Sequence, residues 1–222
     1  MCFSPVRRAH KGRWSDERPP VPPSSRDEMN AIREHFRKHG YAVLRSLLEK
    51  PKVSFFYAHA LRTAAGGAAF LEDSQVPGTP SVYGDPWMEM LLEELVSQVE
   101  QATTLKVYPT YAYFRVYKRG DVLAKHRDRP SCEISLSVNL GHKAASPWPF
   151  WIEGPTGSSR IELNPGDAVL YRGVECFHWR EAFAGDHAAQ VFLHYVDQSG
   201  PYAEWKFDKR ERLNALPGSQ TL

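Results

Sequence analysis

Residues 111–140 read YAYFRVYKRGDVLAKHRDRPSCEISLSVNL. In the first run Tyr111, Tyr113, Arg115 and Tyr117 fall on one face of an extended segment, and Ala112, Phe114 and Val116 on the other. After Gly120 the pattern returns. Glu133, Ser135, Ser137 and Asn139 alternate with Ile134, Leu136, Val138 and Leu140. Two segments with one polar and one apolar row predict an antiparallel sheet whose polar side meets water or lines a wet cavity. Between them stand His126 and Asp128. Two positions apart in extended backbone, they point the same way and can reach one small divalent metal. A third ligand must come from elsewhere. His178 follows a strand-like run and a turn (Leu170, Tyr171, Arg172, Gly173), where a rim ligand would sit. His187 and His194 compete for that place, His194 also fitting as a group behind the ligands.

Working outward, 26–39 is a predicted helix, with a Ser25/Glu28 capping box, an apolar row of Met29, Ile32 and Phe36, and a stop at Gly40. A short strand is expected in YAVLRSLL, 41–48. A second helix starts at Pro51 and ends at Gly66-Gly67. The stretch 66–84 reads as a long loop, either a lid or a plain connection. Asp85 and Pro86 open a third helix to about Gln101. Strands follow near 105–108, 111–117, 122–126, 132–140, 148–152, 159–163, 168–171 and 190–196. Eight short strands after a helical front half predict an α+β fold, a double-stranded β-helix (jelly roll, cupin-like) with the N-terminal helices braced on one sheet.

Two histidines and a carboxylate, with open positions left over, is the donor set of non-haem Fe(II) oxygenases. The residues here resemble the 2-oxoglutarate- and Fe(II)-dependent dioxygenases. The resemblance rests on Tyr117, Gly120, Leu123, His126 and Asp128, in the order Y-x-x-G-x-x-L-x-x-H-x-D. It continues through Asn164-Pro165-Gly166-Asp167 to His178. It implies Fe(II) on His126, Asp128 and His178, with 2-oxoglutarate and O2 as co-substrates, and hydroxylation coupled to succinate formation. It also implies a basic side chain on the strand after the distal histidine, to pair with the oxo-acid's far carboxylate. That strand holds only His187, Gln190 and His194. The candidates for the cofactor pocket are therefore Arg115 first, then Arg180, with Arg172 a third choice, and Tyr117, Gln190 and His194 beside them. Asp128 argues against a halogenase, which lacks that carboxylate. Arg129 is expected either to pair with Glu133 or to hold a substrate anion. Residues 148–151 (WPFW) read as core and edge packing, with substrate stacking as the alternative.

The chain of 222 residues fits one domain, 25–212, between a Pro-rich basic arm, 1–24, and a tail, 213–222. The arm, with Trp14 as its one apolar anchor, reads as a solvated terminus, a nucleic-acid or partner-binding tail being the alternative. Cys2, Cys132 and Cys176, an odd set with no C-x-x-C, read as reduced thiols of a cytoplasmic protein. No run reaches the length of a membrane span. The net charge of +2 leaves the body of the chain near neutral, which argues against a nucleic-acid demethylase. The expected partner is a small-molecule or peptide substrate. The other competing class is a cupin-like metal protein that is not an oxygenase, favoured by the missing base near Gln190.

Overall fold

A computed structural model of the protein describes residues 25–67, 69 and 74–214. The arm 1–24 with Trp14, the Ser25 side chain, part of the 66–84 stretch, and 215–222 of the tail lie outside the described residues. The first helix, α1 (Ser25–His39), stops at Gly40, whose φ of +78° suits glycine. A β-carbon there would also meet the Cys176 sulfur at 2.8 Å. Strand β1 (Tyr41–Leu44) is followed by α2 (Lys50–Ala65). Inside the expected loop lies a strand, β2 (Ser81–Tyr83), too short to show as alternation. Asp85 caps α3 (Pro86–Glu94), accepting from the Trp87 and Met88 amides.

The single predicted helix 85–101 is two. It breaks at Leu95 (φ −86°, ψ 0°), and α4 runs Val96–Thr103. Leu92 and Leu95 on one side of the break, and Val99 and Ala102 on the other, are all buried. The bend lets α3 lie on the sheet while α4 packs against α1. The predicted strands 105–108 and 111–117 are one, β3 (Val107–Lys118), running through Pro109. Proline is tolerated because β2 pairs only as far as Tyr113 and the strand opposite is bulged between Leu193 and Tyr195. Then come β4 (Leu123–His126), β5 (Ile134–Lys143), β6 (Phe150–Gly154), β7 (Gly157–Ile161), β8 (Ala168–Arg172), β9 (Phe177–Arg180) and β10 (His187–Asp197). Cys132, expected to begin the 132–140 strand, instead ends a 3-10 turn, Pro130–Cys132. Strand β9 was not expected from the sequence.

The strands form two antiparallel sheets, β1-β8-β5-β10-β3-β2 and β4-β9-β6-β7. This is the expected α+β jelly roll. One core fills the space between the helices and the larger sheet. It joins Phe56, Leu91 and Leu92 to Phe114, Leu136, Val138 and Leu193, all apolar-row residues on the strands. A second lies between the sheets at the β6–β8 end, around Phe150, Ile152, Val169 and Tyr171. The polar rows of β3 and β5 face inward. Arg115, Ser135, Ser137 and Asn139 are all buried. Among the described residues no helix is long and apolar enough to cross a membrane.

Candidate metal centre

Strands β4 and β9 pair so that His126 stands opposite His178. The two rings lie 4.2 Å apart between centroids. Asp128 Oδ1 is 3.6 Å from His126 Nε2 and 3.4 Å from His178 Nε2. Each imidazole is fixed from behind. His126 Nδ1 meets the Ala124 carbonyl at 2.8 Å and His178 Nδ1 the Cys176 carbonyl at 3.2 Å. A carbonyl only accepts, so both rings carry their proton on Nδ1 and present a bare Nε2 to the same point. Two neutral nitrogens and a carboxylate oxygen within 4.8 Å of one another are a donor set that can hold a divalent ion.

Asp128 is positioned by its neighbours. Its amide donates to the Gly173 carbonyl, and Oδ2 accepts from Ser135 Oγ at 2.9 Å. A β-carbon on Gly173 would sit 2.5 Å from Asp128 Oδ2 and 2.2 Å from the Cys132 carbonyl, so the close approach requires glycine. Burial alone would raise the Asp128 carboxyl, but the His178 and His126 imidazoles hold it well below the usual carboxylate range. For His126, burial works against the charged form, but the Asp128 carboxylate and the Ala124 carbonyl together pull the ring up. His194 does not join the triad. It lies behind it, with Nδ1 2.9 Å from Ser135 Oγ, and burial pulls it down to about 4. A second donor group, Asp128, Cys132 and His194, shares the carboxylate. The Cys132 thiol is pushed up to about 12, chiefly by burial. His187 bonds Tyr57 and is no ligand.

Two arginines lie inside the roll, each 1% exposed. Arg115 donates to the hydroxyls of Tyr117 and Tyr113 at 3.2 Å and to Gln75. It lines the same cavity as the three donors. Arg180, two residues beyond His178 on the same face of β9, donates to the Trp148 carbonyl at 2.7 Å and to Gln190 Oε1 at 3.3 Å. Gln190 passes the chain on to Asn139. Arg180 Nε and Ser137 Oγ are buried without a hydrogen-bond partner. No carboxylate among the described residues pairs with Arg180, and burial draws it down to about 10, still charged at neutral pH. Strand β10 itself carries no Lys or Arg, but the guanidinium of Arg180, from β9, reaches the Gln190 side chain.

Other expectations change. Arg129 pairs with Asp208 at 2.8 Å, not with Glu133, which accepts from the Asp197 amide. Arg172 turns away, to Glu175. Trp148 and Phe150 are core residues, and Trp151 stacks on Trp179. Asp208 was missed, since 79 residues separate it from Arg129 and no local pattern links them.

No family model matches the chain, and no curated protein matches it in sequence. Solved structures do. SnoN, a non-haem α-ketoglutarate-dependent epimerase of nogalamycin biosynthesis, superposes with a TM-score of 0.69 at 14% identity, over 87% of this chain and 91% of that one. A Pseudomonas putida prolyl-4-hydroxylase gives 0.62 at 16% identity, over 76% and 98%. HygX from Streptomyces hygroscopicus, solved with nickel, 2-oxoglutarate and hygromycin B, gives 0.61 at 14%, over 78% and 87%. The chain has the fold of the 2-oxoglutarate-dependent non-haem oxygenases that its motif resembles.

Proposed function

We propose that this protein is a 2-oxoglutarate- and Fe(II)-dependent oxygenase, a hydroxylase of a small-molecule or peptide substrate. One observation carries the reading: a fully buried guanidinium, Arg180, with no carboxylate partner among the described residues, two residues along the strand from His178. A buried cation without a counter-ion among the described residues is costly, and an anion from outside would offset that cost. A dicarboxylic oxo-acid fits. It would span from the three donors to Arg180, and the orphaned Arg180 Nε and Ser137 Oγ would gain partners. The same observation removes the main support for a cupin-like protein without an oxo-acid.

His126, Asp128 and His178 would hold the metal, which with 2-oxoglutarate and O2 supplies decarboxylation of the oxo-acid to succinate and oxidation of a substrate C–H bond. The chain's own groups do the rest. The Ala124 and Cys176 carbonyls fix both imidazole tautomers. Ser135 ties Asp128 Oδ2 to His194, leaving Oδ1 toward the rings. Arg180 and Gln190 fix one end of the oxo-acid, and Tyr117, donor-bonded by Arg115, stands near both guanidiniums. Tyr113, Phe192 and Leu123 give the cavity an apolar wall beside the three donors.

Anaerobic protein with Fe(II) and 2-oxoglutarate should develop the weak visible charge-transfer band of a chelated oxo-acid. On admission of air it should form succinate. Absence of both from iron-loaded protein would end the proposal.

A further inference from the structure

Two residues that line the metal cavity are bonded from behind by a segment late in the chain. The cavity, about 580 Å³, is walled there by Tyr83, Tyr111, Tyr113 and Phe192, with Arg129 at the rim. In the segment 203–209, Asp208 brings its carboxylate to two of these lining residues, Tyr83 and Arg129. Its Oδ2 accepts from Tyr83 Oη at 2.6 Å and from Arg129 Nη2 at 2.8 Å. Its Oδ1 is buried without a hydrogen bond of normal geometry, though against that burial the Ser131 side chain also helps to hold the carboxyl below its usual range. The Arg129 guanidinium lies 4.7 Å from the Tyr111 ring centre, stacked on the cavity wall.

The backbone that delivers Asp208 is strained. Phe207, Asp208 and Lys209 have φ of +53°, +55° and +62° in succession. Aspartate tolerates that region, whereas phenylalanine and lysine rarely enter it. Such a run persists only where contacts over-determine it. Here the contacts include a guanidinium and a phenol hydroxyl converging on a carboxylate, and both of these groups also face the cavity.

We propose that Arg129 and Tyr83 form a carboxylate-binding subsite at the cavity mouth, filled in this state by the chain's own Asp208. The substrate is then a small carboxylic acid with an apolar or aromatic body, whose carboxylate displaces Asp208. Naming that ligand the substrate rests on the oxygenase reading above; the subsite itself does not. The arginine and the hydroxyl match a carboxylate in charge and donor number. The tyrosines and Phe192 match an apolar body. Displacement lets the left-handed run relax. An internal competitor at high effective concentration masks the affinity of the subsite, and removing its charge uncovers it.

The test uses the full chain with Mn(II) and 2-oxoglutarate saturating, so that the deeper cations are occupied. The probe is 3-phenylpropionate, with 3-phenylpropanol as the neutral control. Calorimetry should show about tenfold tighter binding of the acid to Asp208→Asn than to the unaltered protein. The acid should also open trypsin cleavage at Lys206, Lys209 and Arg210. Tyr83→Phe, which keeps the ring, should weaken the acid and leave the alcohol unchanged. Equal or weaker binding to Asp208→Asn, an alcohol as good as the acid, or tryptic sites that stay protected would overturn the subsite. These readouts need no turnover. A protein that gave them without consuming 2-oxoglutarate would keep the subsite and lose the oxygenase reading.

Discussion

The two faces of β5 are buried alike and built from opposite materials. Leu136 and Val138 are 0% exposed on one side, and Ser135 and Ser137 are 0% exposed on the other. The apolar face meets the helices. It gains about 25 cal/mol for each Å² taken from water. The polar face looks into the roll, toward Arg115, Tyr117, Arg180 and Gln190, where each group needs a partner or costs free energy. Equal burial therefore means different things. One face holds the larger sheet to the helices. The other gives up stability to keep charge and hydroxyls inside, which is worthwhile only if something polar is to be bound there.

Arg180→Met is the sharpest way to break that contrast. On the oxygenase reading it removes the oxo-acid's partner while replacing a buried, uncompensated charge with an apolar chain of similar length. Calorimetry on the Mn(II)-loaded protein should show 2-oxoglutarate binding weakened about 100-fold or more. The urea midpoint of the ligand-free protein should be unchanged or higher. A large loss of stability with 2-oxoglutarate affinity intact would mean that Arg180 is a structural cation and that the two faces do the same work.

This contrast was half legible in the sequence. The alternation of β3 and β5 shows two rows on each strand, and His126, Asp128 and His178 stand out by their spacing after a strand and turn. The alternation cannot say which row is covered by helices, because a solvent-facing sheet gives the same pattern. Strand β9 stayed hidden for a related reason. Phe177, His178, Trp179 and Arg180 put a histidine and an arginine on the inward face, the reverse of what marks a buried strand. Without β9, Arg180 could not be placed beside Gln190, and the base sought on β10 seemed to be missing. The Leu95 break and the Asp208–Arg129 pair depend on contacts between distant segments, which no local pattern records.

On the opposite face, Leu136→Ala should cost about 3 kcal/mol in urea unfolding, since a fully buried leucine in a closed core leaves a cavity. The 2-oxoglutarate affinity of the molecules that remain folded should not move. A shift in that affinity would show that the sheet transmits strain between its faces and that they cannot be treated as separate.

The smallest expected effect carries the finest distinction. Ser137 Oγ is buried and has no hydrogen-bond partner, although Ser135 and Asn139 on either side of it in the same row are bonded. An unpartnered buried hydroxyl costs stability, so Ser137→Ala should leave the ligand-free protein as stable or more stable by about 1 kcal/mol. With 2-oxoglutarate present the sign should reverse. If the hydroxyl takes up a bond to the oxo-acid, its loss weakens binding severalfold, the usual worth of one hydrogen bond. Urea midpoints with and without the ligand, compared between the two proteins, measure both signs in one experiment. If the midpoints shift equally in the two conditions, the hydroxyl is a packing residue, and the polar row serves the cofactor through Arg180 and Gln190 alone.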